Sequence, residues 1–346
     1  MATRLPARRR RATLRYAMPP SLSDDGIIGQ ANGTARRVGV AAARESQDPD
    51  AGQPVSDSKG MTMVRHQLFV RLGDTRYRIE RPWGEVPTGC GAPSDVACDA
   101  EGRVYVQLRQ DPMTDPENPG VVVLAPDGRR IDAWGGAEIA DGHMLSVHPD
   151  GRVFVVDRDA QEIIVFSRDG RRLGGLGRRH HPGEPFNAPC DVAFGPDGSI
   201  YVADGYAASV VHRFSAEGTP MGRWGGEGTG PGEFSTPHSV WVLRDGRVTV
   251  ADRENNRVQV FTADGSWLDD WRGNHKPMSV HGAPGGGLYV TDQVPQLSLL
   301  GPDGSILGRC RPVLNGAHGM WCAPDACIFL SEQNPSRVTR LVPVEG

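Results

Sequence analysis

Three histidines stand where imidazole can do chemistry: His143 in GHMLSV, His238 in PHSV and His318 in AHGM. Each falls eight residues before the same point of a recurring segment. The segments are GRVYVQLR (102–109), GRVFVVDR (151–158), GSIYVADG (198–205), GRVTVADR (246–253) and GGLYVTDQ (286–293), with ACIFLSEQ (326–333) a degenerate sixth. Counting back eight residues gives Ser94, His143, Cys190, His238, Met278 and His318, so histidine fills the second, fourth and sixth units only. In a six-fold ring, alternate units lie about 120° apart, and three such imidazoles converge on the axis. A lone strand-start histidine is usually satisfied by backbone hydrogen bonds. Three of ten sharing one repeat position in strict alternation predict instead a metal site, zinc by preference, with its fourth position open to water or substrate. The other histidines, including His148, His212 and His281, lack the pattern and read as surface or turn residues.

A second set lies seven residues after the same glycine: Arg109, Arg158, Gly205, Arg253, Gln293 and Gln333, with Tyr206 next in line. Arginine at the metal could clamp a carboxylate with two parallel hydrogen bonds. Arg158 reads as a solvated loop charge. A tyrosine beside a divalent cation can serve as a general base once its pKa falls. Asp157, Asp204, Asp252 and Asp292 recur in unit after unit, which indicates turn hydrogen bonding rather than chemistry.

The elements that must position these residues are strands. The repeat anchors are 49, 47, 48, 40 and 40 residues apart, and each unit alternates apolar and polar residues between D-G turns. Four short antiparallel strands per period of that length make one propeller blade. The expected fold is therefore all-β, a six-bladed propeller over residues 65–346. The sixth unit stops at SRVTRLVPVEG without a fourth strand, whereas residues 66–83, ending YRIERPWG, form an orphan strand with the Trp-Gly ending of a fourth. That N-terminal strand is expected to complete the last blade and close the ring.

Composition agrees. The chain has 45 glycines and 28 prolines in 346 residues, which excludes coiled coils and helical arrays. No apolar run is long enough for a membrane helix. Residues 1–60 carry ten basic and six acidic residues, leaving the remainder acidic and a poor partner for nucleic acid. Residues 1–64 read as a disordered basic extension, and Met61 and Met63, just ahead of the first strand-like segment, offer alternative starts. Six cysteines form no C-x-x-C pair; with no export signal in view they read as reduced thiols of a cytoplasmic protein.

The repeat resembles the NHL family. PCDVAFGPDGSIYVADGYAASVVHRFSAEG (189–218), PGEFSTPHSV (231–240) and ADRENNRVQVF (251–261) are similar to peptidyl-α-hydroxyglycine α-amidating lyases. The resemblance implies a six-bladed propeller with zinc on three histidines, falling on His143, His238 and His318. It implies Tyr206 as the base and Arg253 and Arg109 as the active-site arginines. Two positions depart from that family. Gly319 stands where it has an aspartate that serves catalysis and a central calcium, and Ala207 stands where it has a disulfide cysteine. The implied reaction cleaves the N–C(OH) bond of a carbinolamide, giving an amide or amine and an aldehyde such as glyoxylate. Its substrate is a small molecule bearing a hydroxylated carbon next to nitrogen, and a carboxylate. The alternatives are metal-assisted hydrolysis or hydration at the same site, or a non-catalytic NHL module that offers a face to a protein partner.

Overall fold

A computed structural model describes residues 67–109 and 117–345, together with the backbone of two short strands, Pro54–Ser56 and Thr62–Val64. Those two strands pair antiparallel within the segment expected to be disordered. The rest of the expected extension lies outside the described residues.

Each repeat folds as the alternation dictates. Among the described residues there are six antiparallel sheets of four or more strands, and in each the strands run outward from the axis. The innermost strands are Ala92–Cys98, Gly142–Val147, Asp191–Phe194, Pro237–Val242, Pro277–Gly282 and Gly319–Cys322, here blades 1 to 6. In blade 2 the inner strands Val153–Asp157 and Glu162–Phe166 are buried on both faces, whereas the outer strand Arg172–Leu176 is exposed. That gradient explains the near-continuous Val and Ile of the middle strands.

Six apolar clusters hold the ring, one at each junction between neighbouring blades. In the junction of blades 1 and 2, Tyr105, Val155 and Phe166 are buried together. Each such side chain stabilises the fold by about 1.5–3 kcal/mol. The cluster joining blade 6 to blade 1 contains Phe329, Val338, Val96 and Val106, so the first and last repeats meet without a gap.

Tryptophans of the outermost strands have a packing role. A Cβ on Gly170 of blade 2 would lie 2.3 Å from the Trp134 ring of blade 1, and Gly170 has φ +79°. The same contact joins Trp224 to Gly265 and Trp271 to Gly304. Each tryptophan thus lies over a glycine turn of the following blade, where any side chain would displace it.

Ring closure follows the expectation with one difference. Arg337–Val344 pairs with Thr75–Glu80, which is the missing fourth strand. Residues 66–83 are not one strand, however: the chain turns at Gly73 (φ +57°), and Leu68–Leu72 pairs back as a fifth. Trp83 then packs on Phe329 at 4.8 Å between ring centroids. His212 and His281, expected at the surface, are buried (4% and 5% exposed).

Candidate active site

The three histidines meet on the axis. His143, His238 and His318 are buried, and their ring centroids are 4.9, 4.8 and 5.0 Å apart, close to an equilateral triangle. Their ligand atoms lie within 4.8 Å of one another, and among the described residues no other group of three such side chains lies close enough to share an ion.

What aims them is a bond between blades. His143 Nδ1 meets the Cys190 carbonyl at 2.7 Å, His238 Nδ1 the Met278 carbonyl at 2.6 Å, and His318 Nδ1 the Ser94 carbonyl at 2.8 Å. A carbonyl only accepts, so each Nδ1 carries the proton and each Nε2 keeps its lone pair. The acceptors are the non-histidine residues at the same repeat position, one blade further round. Burial, followed by the other imidazoles, holds His143 far below the usual histidine range, and burial takes His318 to about 4. His238 is held far below that range by burial, His318 and Arg253. Neutral imidazoles with inward Nε2 atoms are a donor set that suits zinc.

The recurring aspartates hold the loops entering these strands. Asp157 accepts from the Ala140 and Asp141 amides at 2.8 and 3.0 Å, ahead of His143. Asp252 accepts from the Ser235 amide at 2.7 Å, ahead of His238, and is itself held by buried Arg257 at 2.7 Å.

Tyr206 stands over the triad. Its hydroxyl lies 3.1 Å from His143 Nε2 and 3.0 Å from His238 Nε2, while the residue as a whole is 37% exposed. Burial, followed by Cys190, holds the phenol above its usual value, although Arg253, Arg109 and Arg158 pull it down. Arg253 reaches the hydroxyl at 3.4 Å. Arg109 makes no bond to Tyr206 but holds Asp141 through two nitrogens, at 3.0 and 3.2 Å.

Arg158 lies in a turn, as expected, but is only partly solvated. It shares Asp141 with Arg109, at 2.5 Å, and its guanidinium lies 5.4 Å from the Tyr206 ring centroid, as does that of Arg253. Its repeat position, shared with Arg109 and Arg253, was the available signal. Asp141 and the three acceptor carbonyls carried none.

At Gly319 the backbone passes against Asp95: a Cβ there would lie 1.9 Å from Asp95 Oδ1. The Asp95 carboxylate, bonded to the Leu145 amide at 3.0 Å, thus fills the space where a side chain at 319 would begin. At the far end of the inner strands, Trp241, His281 and Trp321 pack together across the axis, with His281 centred 3.9 and 4.6 Å from the two indoles. They line a cavity of about 710 Å³ facing away from the histidines.

Fold and site together define a class: an all-β propeller of six repeated blades with a three-histidine centre on its axis. Residues 234–261 match the NHL repeat. NHL repeat-containing protein 3 of Mus musculus is 31% identical over 70% of this chain and 75% of its own length, and the chain belongs to the NHL-repeat proteins. It is 33% identical to a probable peptidyl-alpha-hydroxyglycine alpha-amidating lyase of Caenorhabditis elegans, over 42% of this chain and 44% of that protein. Peptidyl-glycine alpha-amidating monooxygenase A of Xenopus laevis is 30% identical over 78% of this chain, which spans 34% of that protein's length.

Proposed function

We propose that the chain is a zinc-dependent carbon–nitrogen lyase acting on a small carbinolamide of the α-hydroxyglycine type. The observation that carries this reading is the Tyr206 hydroxyl held 3.1 and 3.0 Å from two neutral imidazole nitrogens at a mouth lined with arginines. The lyase-named relative supports the reaction class.

His143, His238 and His318 would hold the zinc through Nε2. Bound there, zinc would polarise the substrate hydroxyl and favour the phenolate of Tyr206. Tyr206 as phenolate takes the hydroxyl proton. The carbon–oxygen double bond forms, the carbon–nitrogen bond breaks, and its electron pair goes to nitrogen. Nitrogen then takes the proton back from Tyr206. The substrate R–CO–NH–CH(OH)–COO⁻ becomes R–CO–NH₂ and OHC–COO⁻, with no atom or electron left over. Arg253, placed against Tyr206, or Arg109, oriented by Asp141, would fix the carboxylate or steady developing charge. Calcium is not part of this proposal. The six free thiols fit the cytoplasm, the compartment expected from the sequence.

The test is elemental analysis of protein grown with ample metal, joined to an assay for glyoxylate from N-acyl-α-hydroxyglycine. Near-stoichiometric zinc that falls away in His143→Ala, His238→Ala and His318→Ala, with glyoxylate released by the parent alone, is the expected result. A protein that binds no transition metal sinks the reading.

A further inference from the structure

The arginines at the mouth outnumber what one carboxylate requires. Arg109 and Arg158, from blades 1 and 2, share the single carboxylate of Asp141. Arg253 and Lys276 share that of Glu254, at 3.0 and 2.7 Å. Asp159, more than half exposed, adds a solvent-screened contact to Arg158 at 2.8 Å. Each fixed carboxylate therefore holds two cations in place without neutralising both.

Donors are left over as well. A guanidinium has five N–H groups on three nitrogens. Arg109 uses Nε and one terminal nitrogen on Asp141, and Arg158 uses Nε and one terminal nitrogen on its two carboxylates. Arg253 uses Nε on Glu254 and one terminal nitrogen on Tyr206. Among the described residues, each keeps one terminal nitrogen without a partner. The two cationic groups flank Tyr206 by blade order, since Tyr206 follows the second strand of blade 3 and they come from blades 1 and 2 on one side and blade 4 on the other.

We propose that the Arg109–Arg158 pair and Arg253 are two separate anion seats, so that the preferred substrate is a dianion whose nitrogen-bearing half carries a second carboxylate. This rests on the lyase reading for its chemistry, but the seats themselves do not. A long neutral acyl or peptide chain would leave one seat desolvated and unpaired, a cost that hydrogen-bonding sites turn into selectivity.

Two compounds without the reactive hydroxyl test the seats apart from catalysis: N-succinylglycine, a dianion, and N-butyrylglycine, a monoanion of similar size. Calorimetric titration of the metal-loaded protein is expected to show the first binding about 10- to 100-fold more tightly. Arg158→Gln is expected to bring the ratio towards one, and Arg158→Lys to restore part of it, with metal content and melting temperature as checks on folding. In turnover, kcat/KM for N-succinyl-α-hydroxyglycine over its N-butyryl analogue should follow the same order. Equal binding of the two glycines by the parent protein overturns the proposal. Absence of glyoxylate from both hydroxylated compounds would instead remove the lyase reading and leave the binding result standing.

Discussion

Tyr206 and the imidazoles beneath it divide the labour at the level of single residues. In the proposed reaction the phenol would move a proton and the neutral histidines would hold the metal, so the two functions should separate on mutation. Tyr206→Phe is expected to lower kcat by about 100- to 10,000-fold, the usual worth of a positioned base, while zinc content stays unchanged. Loss of the metal together with activity would show that Tyr206 is part of the metal site rather than the base. His281 offers a test away from that centre. Burial takes it to about 4, so between pH 6.5 and 4 the unfolded chain binds a proton that the folded chain does not. Its contribution is fully present above pH 6.5 and is lost as pH falls to 4, up to about 3 kcal/mol. His281→Gln should flatten the fall in denaturation midpoint across that window; an unchanged slope would show that His281 titrates normally. The histidine positions were legible because the repeat supplies a ruler, and the same ruler marked Arg158 without showing its contacts. The carbonyls of Ser94, Cys190 and Met278 could not be read, since a bond from one repeat's imidazole to the next repeat's backbone leaves no trace in residue type.

Among the elements, the outer strand of each blade depends on its neighbour. Trp134 lies over the turn at Gly170, where φ is +79° and the space above the Cα is filled by the indole. Gly170→Ala combines backbone strain with displacement of the ring and should cost about 2–4 kcal/mol, read from the urea midpoint. Gly232→Ala shares the positive φ but has open space around it, so its loss should be confined to about 1 kcal/mol. Equal losses at the two positions would refute the tryptophan contact as the source of the difference. The sequence displayed the Trp-Gly pairs but not their purpose, because each partner belongs to another blade. A local limit explains residues 66–83: their alternation signalled extended chain, and the turn at Gly73 lacks the D-G order of the other hairpins.

For the whole molecule, the decisive contacts are those between the first and last repeats. Thr75–Glu80 supplies the strand that Arg337–Val344 would otherwise leave as an open edge, and Trp83 covers the junction with Phe329. A chain beginning at Arg81 should lose its single cooperative melting transition and associate through the exposed strand, visible by size-exclusion chromatography. If it stays monomeric and melts within about 2 °C of the parent, the closure is not a stabilising element. The six-fold count was readable from anchor spacing, as was the identity of the closing segment, because both are properties of order along the chain.

The bond from His318 to the Ser94 carbonyl crosses this same seam, and Ser331 Oγ reaches the same oxygen at 3.0 Å. The axial centre and the rim clasp are therefore two readings of one mechanical quantity, the circumference of the ring. Loosening the clasp by Trp83→Phe, a residue outside the triad, should weaken retention of the proposed zinc against a chelator. Conversely, zinc bound as proposed should act as a hoop at the hub, raising the melting temperature most in variants whose rim is weakened.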